Sequence, residues 1–128
     1  MYKAVLSLLV GFVLNQTSAQ ITPDNFIGGW YAIGIHDVVV GDTLEMMNGE
    51  ININDYNHYL NWVFGTDNKV SVNSCYRIKR ENENPTYIST RKQKKWRYYK
   101  ENHWLYIDDM KFKVLDIDKL YLKTVYLK

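Results

Sequence analysis

One cysteine, Cys75, stands in the 128 residues. A single cysteine excludes an intrachain disulfide framework and a cysteine-ligated zinc site. Charge is equally scarce in balance: sixteen basic against fourteen acidic residues leave a formal +2. That is too near neutral for nucleic acid or a membrane surface to be the main partner. The sequence has no glycine-rich phosphate loop and no glycine-x-serine-x-glycine elbow. Its three histidines, His36, His58 and His103, have neither metal-ligand nor nucleophile spacing. They read as loop or surface residues, and no enzyme is expected. Low-complexity tracts, linkers and internal repeats are absent too, so the length fits one domain.

What is present begins with an address. Lys3 precedes the apolar stretch Ala4–Leu14, which a small-residue segment ending in Ala19 follows. This is the layout of a secretory signal. Eleven apolar residues are too few to cross about 30 Å of hydrocarbon as a helix. Residues 1–19 are therefore expected to be removed, leaving a domain over 20–128, secreted or periplasmic. The Ala19-Gln20 junction resembles export signals of some Gram-negative bacteria, and no cysteine there supports a lipid anchor. In such an oxidising compartment Cys75 reads as a buried thiol in a monomer; the sharper alternative is a disulfide-linked dimer.

After residue 19 the only alanine is Ala32, while Ile, Val, Thr and aromatic residues abound. That balance disfavours helices and suits a pleated sheet. Period-two alternation places strands over 30–35, 43–47, 59–64, 70–78, 87–90, 96–99, 104–107, 112–117 and 120–127. Asn48-Gly49 is a hairpin signal that predicts a returning strand over 50–54. Short strands spaced by turns predict an all-β domain, an antiparallel up-and-down β-barrel of about eight strands, because closure removes exposed sheet edges.

Phe26-Ile27-Gly28-Gly29-Trp30-Tyr31 resembles the opening motif of the lipocalins: phenylalanine, glycine, any residue, tryptophan, often tyrosine. The run Gly65–Val70, the tryptophan strand 96–99 and the closing pair 112–123 are similar to those of short lipocalin-like domains of exported bacterial proteins. The resemblance implies a calycin-type barrel with Trp30 as its floor and Gly28 admitting the chain to the first strand. It departs from classical lipocalins in length, in lacking an arginine after Arg97, and in having no cysteine pair.

Two binding chemistries remain. Alternation points Trp62, Phe64, Tyr76, Phe112 and Val114 into the lumen, together with Leu60, Val70, Val72, Leu120 and Leu122. They would bind a small hydrophobic or amphipathic ligand, without a metal or cofactor. The alternative is a filled barrel acting through its surface. There the basic aromatic run 91–100, with Lys92, Lys94, Lys95 and Arg97, would contact a polysaccharide, lipid headgroup or protein; the bland reading of that run is a solvated hairpin whose lysines protect strand edges. Asp108-Asp109 and Asp116 with Asp118 read as turn formers rather than carboxylate pairs. Terminal sequencing of the exported protein should find a chain opening at Gln20; one still beginning at Met1 contradicts the signal reading.

Overall fold

The computed structural model describes residues 20–49 and 58–128. The expected leader over 1–19 and the expected strand over 50–54 lie outside the described residues. A 3-10 turn over Pro23–Phe26 precedes eight strands. They are β1 (Gly28–Ile33), β2 (Thr43–Asn48), β3 (Tyr59–Phe64), β4 (Lys69–Ile78), β5 (Thr86–Tyr99), β6 (Trp104–Ile107), β7 (Met110–Ile117) and β8 (Tyr121–Tyr126). Every ladder is antiparallel and the sheet closes into a barrel. From β3 to β8 each strand pairs with its neighbour in sequence. β1 lies between β2 and β3, and β2 closes the ring on β8. No described helix is long and apolar enough to cross a membrane.

Alternation along the strands builds the core. Trp30 and Ala32 of β1, Leu44 and Met46 of β2, and Leu60, Trp62 and Phe64 of β3 are buried, as are Leu105, Ile107, Phe112, Val114 and Leu122 further round. Each fully buried large side chain contributes roughly 1.5–3 kcal/mol of transfer free energy. The intervening residues face out: Met47 and Val63 are exposed, and Glu45 pairs with Lys123 at 3.7 Å on the surface.

One end of the lumen is closed by aromatic rings. The 3-10 turn delivers Phe26 under the barrel, where its ring lies 5.8 Å from Phe64, 5.9 Å from Trp96 and 5.0 Å from Tyr98. Trp30 Nε1 donates to the Phe26 carbonyl at 2.9 Å, and Trp96 Nε1 donates to the Gly65 carbonyl at 3.2 Å. Both indoles thus satisfy their only polar group where burial would otherwise penalise it. Gly28 enters β1 with φ +118°, a left-handed conformation that costs other residues dearly.

Two expectations change. β5 is one strand of 14 residues, not separate strands over 87–90 and 96–99. Residues 91–95 hold no Gly, Pro, Asn or Asp to turn the chain, and β4 pairs with them continuously from Arg91 to Lys95. Leu120, expected inside, is 71% exposed. It sits in the β7–β8 turn, its backbone N–H held by the Asp118 side chain at 2.8 Å. Asp67 and Asp108 likewise accept backbone N–H groups, from Lys69 at 3.2 Å and Lys95 at 2.8 Å.

Thr124 is the buried exception. It is fully enclosed and its hydroxyl has no partner among the described residues. Thr124→Val keeps the shape and removes that desolvated group. Urea melts should show the variant more stable by about 1 kcal/mol; a loss of similar size would show that the hydroxyl is satisfied in solution.

Candidate functional site at the open end of the barrel

Strand lengths decide where the lumen opens. The β5–β6 ladder covers only Trp96–Tyr99, whereas the β4–β5 ladder runs from Thr86 to Lys95. The β4–β5 ribbon therefore overhangs the barrel at the end opposite Phe26. Trp96 and Tyr98 point inward, so stepping back by two residues puts Lys94, Lys92 and Thr90 on the same face. The lumen face of β5 is aromatic at the closed end and cationic at the open one.

Beneath this overhang lies a cavity of about 180 Å³. Leu60, Trp62, Val72, Ile107 and Met110 form its apolar wall; His36, Asp37, Ser74, Thr90, Lys92 and Lys94 form its polar rim. Ser74 Oγ and Thr90 Oγ1 are 2.5 Å apart across β4 and β5. Lys94 Nζ stands 4.0 Å from Asp108 Oδ2, both partly exposed, an ion pair worth little on its own. The long lysine stems can line apolar wall while the ammonium groups stay at the mouth.

Two histidines meet at this rim. β1 and β3 run in register as far as Ile33 and Tyr59, and Gly34 N–H donates to the His58 carbonyl at 2.8 Å. The chain leaving β1 is thereby held beside the chain entering β3. His36 Nδ1 faces His58 Nε2 within hydrogen-bonding contact, the ring centroids being 4.5 Å apart. One nitrogen must donate and the other accept. Tyr76, next along the inward face of β4, stacks on His36 at 4.5 Å and 29°. No cluster of three metal-ligating side chains occurs among the described residues.

Of the expected lining residues, Trp62 borders the cavity and Tyr76 supports its rim through His36. Phe64, Phe112 and Val114 point inward but are packed into the filled part. Trp62 meets Phe112 edge-on at 5.1 Å and Phe64 at 6.1 Å, and Phe112 stacks on Tyr126 at 4.9 Å. The four cations read as one surface patch divide between two faces: Lys92 and Lys94 face the mouth, Lys95 and Arg97 the outside. Period two forces that split on any strand. The His36–His58 contact had no sequence signal, because only β1–β3 pairing brings residues 22 apart together.

A larger hollow of about 520 Å³ lies on the outer face of β3–β5, bordered by Tyr59, Asn61, Asn73, Ser89 and Arg91. Its polar groups already serve the fold: Asn61 Nδ2 donates to the Trp30 carbonyl at 3.0 Å, and Asn73 Nδ2 donates to Asn61 Oδ1 at 3.1 Å. Cys75 lies under this surface at 6% exposure, with Ser89 Oγ donating to its sulfur at 3.5 Å. The cavity in the lumen, with its apolar wall, is the stronger candidate site. Compared with known proteins, the chain matches no family model, no curated protein and no solved structure.

Two tyrosines carry a pH signature, Tyr59 at the outer hollow and Tyr98 at the closed end of the barrel. Burial, then the neighbouring Cys75 charge, raises the Tyr59 hydroxyl above its ordinary value of 10.0. Burial, then Glu101, raises Tyr98, whose hydroxyl lies 2.8 Å from His103 Nδ1. The folded chain therefore keeps protons that the unfolded chain releases first. Their contribution is complete below about pH 10 and is lost as pH rises through the folded values. Urea melts across that range should show stability falling above about pH 10, less steeply in Tyr98→Phe; an unchanged slope would contradict the assignment.

Proposed function

We propose that this protein is an exported, lipocalin-like carrier that holds one small amphipathic molecule at the open end of its barrel. The observation that carries the reading is the division of the lumen. Aromatic packing fills one end, while the other keeps a cavity whose wall is apolar and whose polar rim carries Lys92 and Lys94 against the single carboxylate of Asp37. That is the composition of a small-molecule site: apolar surface supplies the free energy and a few polar groups fix orientation.

Size and charge narrow the ligand. About 180 Å³ is below the roughly 300–1,000 Å³ of sites for drug-sized molecules. A cavity of about 150 Å³ accepts one benzene ring. The bound part is then a single ring or a short acyl chain, smaller than a retinoid or haem. Lys92 and Lys94 at the mouth suit a carboxylate or sulfonate head, with His36, Ser74 and Thr90 supplying further polar contacts. The lipocalin-like assignment is supported by the Phe26–Tyr31 motif and the closed eight-strand barrel, and the export assignment by the pattern of residues 1–19.

Octanoate, an anionic probe of that size, should bind the protein in a calorimetric titration. Val72→Trp, which fills the cavity, should abolish that binding. The double variant Lys92→Gln/Lys94→Gln should weaken the anionic probe about tenfold while leaving a neutral probe of the same size unaffected. Undiminished binding to the Val72→Trp protein would place the probe elsewhere and overturn the proposal.

A further inference from the structure

On the outside of β5–β7 lies a second ordered surface, which owes nothing to the cavity. Trp96, Tyr98, Leu105, Ile107, Phe112 and Val114 are buried inward, so the alternate positions face solvent. Pairing sets those positions in two cross-strand rows. Arg97, Tyr106 and Lys111 form one; Tyr99, Trp104 and Lys113 form the other. Lys95 extends the face along β5, bordering the same hollow as Arg97 and Tyr106. None of these strand positions is acidic; Glu101, Asp108 and Asp109 stand only in the turns at its ends.

The cations are held rather than loose. The Arg97 guanidinium lies 5.2 Å from the Tyr106 ring centroid and 5.5 Å from that of Tyr99. Those two rings meet edge-on at 5.7 Å and 89°. Lys111 Nζ sits 3.3 Å over the Trp104 ring. Among the described residues the ion pairs are Lys94–Asp108 and Lys123–Glu45, so rings rather than carboxylates position Arg97 and Lys111. Cations over aromatic faces keep their charge and lose conformational freedom before any partner arrives.

From this arrangement we infer that the outer β5–β7 face binds an acidic polysaccharide. Arg97 and Lys111 end one row two strand spacings apart, roughly 10 Å, and Lys95 and Lys113 add charge beside them. A linear chain of acidic sugars presents a carboxylate or sulfate at comparable intervals on every second sugar. Nucleic acid fits less well. Base stacking needs open ring faces, and here Arg97 and Lys111 occupy them. A net charge of only +2 also supplies no general attraction to polyanions, so recognition must be local.

The full exported chain should be retained on immobilised heparin and on polygalacturonate, more strongly than on a plain sulfonate resin of equal charge density. It should pass through neutral dextran, and retention should fall steeply with salt. Arg97→Gln and Lys111→Gln, both surface changes, should each weaken polygalacturonate binding about tenfold without shifting the thermal midpoint. Lys92→Gln/Lys94→Gln, on the opposite face of the same strand, should leave that binding unchanged. The inference is overturned by no retention at low salt, by retention no better than on the sulfonate resin, or by loss through Lys92/Lys94 instead. It is equally overturned if oligothymidylate or anionic vesicles bind as tightly as the polysaccharide.

Discussion

A sheet that closes on itself must do something with its interior, and here Phe26 decides what. The 3-10 turn before β1 sends this ring into the lumen from below, where Phe64, Trp96 and Tyr98 enclose it and the Trp30 indole bonds its carbonyl. Packing at interior density leaves no ligand space in that half. The location of the cavity depends on that plug. Trp62 stands at the boundary, with Phe64 and Phe112 on its filled side and the cavity on the other.

The second constraint is the mismatch between β5 and β6. A strand of 14 residues beside one of 4 leaves most of β5 paired on one side only among the described residues. Lysine and arginine along 91–95 discourage pairing of that edge with another chain. The same alternation gives β5 two chemistries: Lys92 and Lys94 serve the mouth of the lumen, Lys95 and Arg97 the outer face. One strand thus contributes to the proposed small-molecule site and to the proposed polyanion-binding surface without either using the other's residues.

Much of the architecture was legible because period two is a strong signal. The bounds of β3 and β6 and the inward phase of Trp62, Phe64, Phe112 and Val114 follow from alternation, and the closed antiparallel barrel from short turn-spaced strands whose edges closure removes. Where β1 sits did not, since its place between β2 and β3 depends on non-local pairing. The unity of β5 was hidden because a dense run of cations resembles a solvated turn, although it contains no turn-forming residue. His36 and His58 were read singly and meet only through the β1–β3 register. Filling of the lumen was illegible for a similar reason. Phe26 reads as part of a motif, and only the turn over Pro23–Phe26 aims it inward.

The proposed carriage of a small amphipathic molecule rests on one spatial claim: the apolar part enters from the mouth and stops at Trp62. Nuclear Overhauser contacts between octanoate and the labelled protein test this most directly. Methyl and methylene protons of octanoate should contact Trp62, Val72 and Ile107, with none to Trp30 or Phe26. Contacts confined to the outer hollow near Asn61 and Asn73, or contacts reaching Phe26, would contradict the division of the lumen on which the account depends.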